Sequence, residues 1–132
     1  MAEGGVYLEG IESELENIVE VLGKWGIFKV EYKKAFIRGD GLPMLYMKAK
    51  SGKYYVHVEG VIKEQELKCY TKLTENDKNK HSHKDEIIGW DNLYEDRPHI
   101  HFNEDERREY REEEISWDEI KKKIMEIMRE GE

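Results

Sequence analysis

Apolar residues recur at two different spacings along the chain, and each spacing predicts a different type of element. Between Ile11 and Trp25 the apolar positions lie three or four residues apart among polar residues, which is typical of a helix with one buried face. From Phe28 the spacing changes to two, because apolar and charged residues alternate towards Ile37 as in a half-buried strand. The turn-like segment 38–43 ends that strand.

Further strand-like runs follow, and the connections between them are short. The first three are MLYMKAK (44–50), KYYVHVEGVI (53–62) and ELKCYTKL (66–73). Connections of two or three residues can join only antiparallel neighbours, since a parallel crossover takes about a dozen residues or more. IIGW (87–90) is a last short strand, and we therefore expect an antiparallel β-meander of about five strands.

The C-terminal part of the chain predicts a linker followed by a second helix. Residues 103–115 are charged almost throughout, as in a solvated linker. Ser116 followed three residues later by Glu119 is a capping-box pattern, which begins an amphipathic C-terminal helix over 116–130. The prediction is one α+β domain over residues 1–132, with an N-terminal helix, the meander and the C-terminal helix.

Composition restricts the partners and the location that we expect. Charged residues make up 39% of the chain, a proportion that favours surface ion-pair networks of the kind found in thermophile proteins. The net charge of -8 argues against a general nucleic-acid coat protein, although a small basic face or a basic partner stays compatible with it. Cys69 has no second cysteine to pair with, no signal-peptide pattern is present, and no apolar run approaches about 20 residues. We predict a cytoplasmic protein without membrane contact.

The stretch GWDNLYEDRPHIHF (89–102) carries the densest set of reactive side chains. His99 and His101 are two residues apart, so in an extended segment both point to one side and can reach one metal ion. A third ligand would come from Asp91, Asp96 or His57. The structural alternative is that both imidazoles bond to loop carbonyls.

The same stretch also fits metal-independent proton transfer, for which no cofactor is expected. A histidine that moves a proton beside an arginine that holds a phosphate is the minimum equipment for RNA cleavage. The catalytic candidates are His99, His101, Arg97, Asp91 and Asn92. Tyr70 and Lys72 share one side of their strand and are candidates for stacking on a base and contacting a phosphate. The pair His81 and His83 lies in a polar tract that we interpret as a solvated hairpin loop.

The run from KCYTKLT through IIGWDN to PHIHF resembles the TumE family of toxin-antitoxin proteins. The hallmark of that family is a Trp- or Tyr-Asp-Asn sequence after a strand, followed by a Pro-His-His-x-His-like sequence. Residues 90–92 match the first part and Pro98, His99 and His101 match the second, and the similarity covers about residues 8–102. Relatives carry a His-His pair directly after Asp-Asn, where this chain has LYED (93–96).

The resemblance implies a small toxin component that acts in the cytoplasm on RNA and is neutralised by a helix-turn-helix antitoxin. Two alternatives stay open from the residues themselves. One is a non-catalytic interaction module that forms a homodimer or a heteromer through a sheet edge or the C-terminal helix. The other is a hydrolase with a metal ion held by histidine and aspartate.

Overall fold

The structure is a computed structural model that describes residues 2–75, 86–93, 97–103 and 105–131. In chain order its elements are α1 (Ala2–Trp25), β1 (Lys29–Ile37), β2 (Pro43–Ser51), β3 (Tyr54–Lys63), β4 (Glu66–Glu75), β5 (Glu86–Asp91), β6 (His99–Phe102), β7 (Arg107–Tyr110) and α2 (Trp117–Glu130). His81, His83 and Asp96 lie outside the described residues, so the predicted hairpin loop does too.

The strands form one antiparallel sheet whose strand order follows the chain, from β1 at one edge to β7 at the other. The predicted α+β class, the two helices and the antiparallel meander are confirmed, but the sheet has seven strands and not about five. One additional strand is β6, which carries both candidate histidines. The other is β7, which lies inside the segment 103–115 that the sequence predicts as a linker.

The hydrophobic pattern does not predict β7, because this strand lies at the edge of the sheet and has one neighbour, β6. Its sequence RREY is mostly exposed, so nothing requires an apolar residue at every second position. Charged residues on an edge strand also oppose pairing with other chains. The charge run is therefore compatible with a strand.

Both helices pack on one face of the sheet, termed the helix face. The buried core there consists of Ile11, Leu15, Ile18, Leu22 and Trp25 of α1, alternate strand residues from Leu45 on β2 to Ile100 on β6, and Ile120 and Ile124 of α2. The indole rings of Trp25 and Trp117 lie 6.4 Å apart and join the two helices. Among the helices in the described part of the chain, none has the length and apolar character that a membrane span requires.

The start of α2 has the Ser116 half of the predicted capping box. Ser116 is the N-cap residue, and its hydroxyl oxygen accepts a hydrogen bond from the backbone N–H of Glu119 at 3.2 Å. The acidic residues of the first turn and Arg129 in the last turn complement the helix dipole.

Candidate active site on the open face of the sheet

The face of the sheet opposite the helices, termed the open face, carries two rows of residues that cross all seven strands. Residues opposite each other on neighbouring strands project to the same face, so the strand register defines the rows. One row is Lys34, Tyr46, Glu59, Tyr70, Asp91, His99 and Tyr110, and the next is Tyr32, Lys48, His57, Lys72, Gly89, His101 and Arg108. Four cations face two carboxylates in these rows, although the whole chain is acidic.

Asp91, His99 and His101 meet where the rows cross β5 and β6. The Nε2 atoms of the two histidines lie 2.7 Å apart. Asp91 Oδ2 lies 3.5 Å from Nε2 of His99 and 3.8 Å from Nε2 of His101. The side chains of Asp91 and His99 are 4% and 0% exposed, and that of His101 is 22% exposed. His101 is therefore the member of this Asp-His-His cluster that a substrate can touch.

Backbone groups orient two members of the Asp-His-His cluster. His99 Nδ1 lies 3.1 Å from the carbonyl oxygen of Arg97, which can only accept, so Nδ1 carries the proton. In the neutral ring of His99, Nε2 then carries no proton and accepts a hydrogen bond from Nε2–H of His101. Asp91 Oδ1 accepts from the backbone N–H of Leu93 at 2.8 Å, an Asx turn that fixes this carboxylate. The remaining nitrogen of His101, Nδ1, is the one left for proton transfer.

His101 is a weaker base than an ordinary histidine. Its pKa lies below the usual value of 6.5, first because burial disfavours the charged ring and next because of the neighbouring His99. Arg108 lowers the pKa further, whereas the carboxylates of Glu86 and Asp91 oppose the shift. At neutral pH the ring is therefore uncharged and able to accept a proton.

Tyr70 and Glu86 close the side of the cluster that faces β4. The Tyr70 hydroxyl donates to the Glu86 carboxylate, and the Tyr70 ring meets the His101 ring edge-on with centroids 6.0 Å apart. Both side chains use the space above Gly89, where an added Cβ would lie 2.8 Å from the Tyr70 hydroxyl and would overlap Glu86. A glycine is needed at this position for the carboxylate to approach the histidines.

Arg97 contributes to the cluster through its backbone, while its guanidinium lies elsewhere. Its Nη2 atom pairs with Glu112 Oε1 at 2.8 Å, and the group stacks over the Tyr110 ring. That ring in turn lies 5.2 Å from the ring of His99. The Tyr110 ring thus separates the predicted phosphate holder from His99.

A second arginine, Arg108, lies beside the reactive histidine. Arg108 is the register partner of His101 on β7. Both residues border a small cleft of about 190 Å³, together with Glu86. Among the described residues, Arg108 is therefore better placed than Arg97 to hold a phosphate beside His101.

Asn92 does not join the Asp-His-His cluster. Its Nδ2 donates to the carbonyl oxygen of Ile115 at 3.3 Å, and its Oδ1 accepts from the N–H of Ile115 at 3.1 Å. These two bonds tie the end of β5 to the residue before the cap of α2. The amide that the sequence predicts to orient the catalytic groups instead orients the C-terminal helix.

Tyr70 and Lys72, the predicted substrate-binding residues, line a larger cleft over β1–β4. This cleft has a volume of about 490 Å³, and its other lining residues are Tyr32, Lys34, Phe36, Met44, Tyr46, Lys48, His57 and Glu59. Because Tyr70 borders both the cleft and His101, the two regions are continuous.

His57, the third histidine considered as a metal ligand, lies in the floor of that cleft. Its Nδ1 is 2.9 Å from the Tyr46 hydroxyl and its Nε2 is 3.2 Å from the Thr74 hydroxyl, so both ring nitrogens are engaged. Within the described residues, the group that can hold one metal ion is Asp91, His99 and His101. Of the proposed third ligands, the structure brings Asp91 to the histidine pair.

Comparisons with protein-family models, with curated proteins and with solved structures found no match to this chain. The resemblance to the TumE family therefore rests on its motif residues, and the interpretation of the site rests on geometry.

Sequence reasoning missed Glu86 and Arg108. Glu86 follows a long polar tract and Arg108 lies in a charge run, so neither differs in type from its neighbours. The aromatic and basic cleft had a usable signal, because the tyrosines and lysines of β2 and β4 recur at every second position.

Proposed function

We propose that this protein cleaves single-stranded RNA on the open face, with His101 as the general base. The observation that carries the proposal is the 2.7 Å contact between the Nε2 atoms of His99 and His101, with the Asp91 carboxylate beside them. This contact fixes the orientation of a partly exposed imidazole and leaves its Nδ1 available. It is the arrangement that a catalytic base requires.

The chemistry uses the 2′-hydroxyl of the substrate as the nucleophile. His101 Nδ1 accepts the hydroxyl proton while the 2′-oxygen bonds to phosphorus and the bond from phosphorus to the 5′-oxygen breaks. The leaving 5′-oxygen takes a proton from water, and His101 returns its proton to solvent. The products are a 2′,3′-cyclic phosphate and a 5′-hydroxyl. General base catalysis of this kind contributes about 100- to 10,000-fold to the rate.

The other residues act on charge and orientation. His99 accepts the hydrogen bond of His101, and Asp91 stabilises the imidazolium that forms, as the third member of a catalytic triad does. Arg108 lies beside His101 in the same row, and its cation would stabilise charge that develops on the phosphate, whereas Lys72 would contact a phosphate of the bound strand.

The test is cleavage of a labelled single-stranded RNA in the presence of a metal chelator. We expect cyclic-phosphate products from the unaltered protein and a rate about 100- to 10,000-fold lower for His101→Asn. Circular dichroism would establish that the variant is folded, and Arg129→Gln on α2 is a surface control. Equal rates for the unaltered protein and a folded His101→Asn would overturn the proposal.

The resemblance to the TumE family supports a toxin role for this activity. Expression of the protein would then slow bacterial growth, His101→Asn would relieve the inhibition, and a helix-turn-helix antitoxin would neutralise it. Growth inhibition that persists in His101→Asn would separate the toxin role from the proposed chemistry.

A second candidate function is a hydrolytic metal centre in the same cluster. Zinc binds nitrogen at about 2.0–2.1 Å, so two ligands of one tetrahedral ion lie about 3.3 Å apart. The three candidate ligand atoms are separated by 2.7, 3.5 and 3.8 Å. A backbone carbonyl that accepts from Nδ1 of His99 is also a usual outer partner of a metal-bound imidazole.

Zinc separates the two candidates, because they predict opposite effects on activity. A metal centre requires the ion, so a chelator would abolish cleavage and zinc would restore it. In the metal-independent reaction the chelator has no effect, and zinc inhibits by occupying the imidazoles. Calorimetric titration with zinc would report binding directly, with Asp91→Asn as the ligand variant and Asp40→Asn as a surface control.

A further inference from the structure

We infer that the cleft over β1–β4 binds single-stranded RNA, with phosphates near its lysines and bases on its tyrosine rings. The inference deepens the proposed function by naming the region that holds the substrate strand. It rests on that proposal only for the choice of RNA, because binding is measured separately from cleavage.

The cleft has the dimensions and the aromatic surface of a base-binding site. Its volume is about 490 Å³, within the range of about 300–1,000 Å³ usual for ligand sites. The rings of Tyr32 and Tyr46 lie 5.8 Å apart and tilt by 56°, and Tyr32 is 48% exposed. Stacking on such rings binds single strands with little sequence preference, since every base has an aromatic face.

The charge of the cleft is opposite to that of the chain. Lys34, Lys48 and Lys72 line it against Glu59, and Glu31 lies 4.0 Å from Lys48, which leaves one excess cation here, whereas the chain carries a net charge of -8. Because salt screens exposed charges beyond about 8–10 Å, acidic residues on distant surfaces do not cancel the local cations. A polyanion is therefore attracted to this region, and RNA is a polyanion.

A buried polar residue supports the rings of the cleft. His57 is 5% exposed, and its two nitrogens meet the hydroxyls of Tyr46 and Thr74. These bonds hold the Tyr46 ring in one orientation over the sheet. A ring held in advance loses less conformational entropy when a base stacks on it.

The cleft leads directly to the Asp-His-His cluster. Lys72 on β4 and His101 on β6 lie in one row with Gly89 between them, so their backbones are two strand spacings or about 10 Å apart. The Tyr70 hydroxyl and the Glu86 carboxylate fill the space above Gly89, so a strand that is seated on Lys72 passes over them to reach the exposed edge of His101.

The test is fluorescence anisotropy with a labelled 2′-O-methyl oligonucleotide of about ten nucleotides, a length within the range of single-strand sites. This probe cannot be cleaved through its 2′-oxygen, so it reports binding alone. We expect Tyr32→Ala to weaken binding about tenfold. In a plot of the logarithm of the binding constant against the logarithm of the salt concentration, the double variant Lys48→Gln with Lys72→Gln would make the slope less steep by about 1.4, because two phosphate contacts are lost.

The matched control is Lys121→Gln with Lys122→Gln on α2, which changes the net charge equally away from the cleft. If this control weakens binding as much as the cleft variant, or if a duplex binds better than the single strand, the inference is wrong. Binding without cleavage in the unaltered protein would overturn the proposed catalysis while supporting the cleft.

Discussion

The two halves of the open face differ in burial, and the difference separates chemistry from binding. Over β5–β7, Asp91 and His99 are buried and the cluster they form with His101 is fixed by backbone hydrogen bonds. Over β1–β4, Tyr32 and Lys34 are exposed and line a cleft. Burial fixes an orientation, whereas exposure leaves rings and cations accessible to a large ligand.

The largest expected effect comes from comparing variants that each alter one half of the open face. His101→Asn should lower kcat of RNA cleavage about 100- to 10,000-fold and leave KM nearly unchanged. The cleft variant Lys48→Gln with Lys72→Gln should mainly raise KM, by about tenfold. Steady-state kinetics of both variants measure the split. Equal effects on kcat from both variants would remove the distinction between the halves.

The next effect concerns the arginine that serves the reactive half. Arg108→Gln should lower kcat/KM about 10- to 100-fold, since a hydrogen bond to a charged group contributes about 1.5–3 kcal/mol. Arg97→Gln should have a much smaller effect, because its guanidinium pairs with Glu112. The reverse order would favour the residue that the sequence predicts.

A smaller effect is expected on stability from the glycine beneath the cluster. Gly89→Ala should lower the free energy of unfolding by about 1–3 kcal/mol, because the new methyl group overlaps Glu86 and crowds Tyr70. Gly10→Ala on α1 has no neighbour within 4 Å and should instead stabilise by about 0.5–1 kcal/mol. Urea unfolding measures both. A neutral Gly89→Ala would contradict the tight contact between the two halves.

The smallest effect is on the pH dependence of stability. The pKa of His101 is lower in the folded protein than its usual value of 6.5, so the unfolded chain binds this proton first as the pH falls. The stability that neutral His101 contributes to the folded protein is fully present above pH 6.5, and it is lost as the pH decreases towards the pKa of His101 in the folded protein. Between about pH 7.5 and about pH 5.5, Tm should fall less in His101→Asn than in the unaltered protein. Parallel pH profiles would show that the shift is absent.

Hydrophobic pattern predicted the parts of the fold in which one side of an element is buried. The stripe of α1 and the alternation of β2–β4 follow directly from that burial, and Ser116 marked the start of α2. It did not predict β7, where an exposed edge leaves the sequence free to be charged. Strand count at a sheet edge is therefore the weakest part of such a prediction.

For the site, the sequence predicted which residue types are close but not the direction in which they point. His99 and His101 converge because residues two apart share a side of a strand, and Asp91 joins them through strand pairing. Asn92 is adjacent to Asp91 in the chain and therefore projects away from it. Arg108 reaches His101 only through the register of β6 with β7, which no local pattern contains.

The most direct test of the central claim uses a DNA strand that contains one ribonucleotide, incubated with the protein and a chelator. We expect one cut, on the 3′ side of the ribose, with a 2′,3′-cyclic phosphate end, and we expect His101→Asn to lose this cut. Cuts at deoxyribose positions, or cleavage that requires added metal, would contradict metal-independent catalysis by the Asp-His-His cluster.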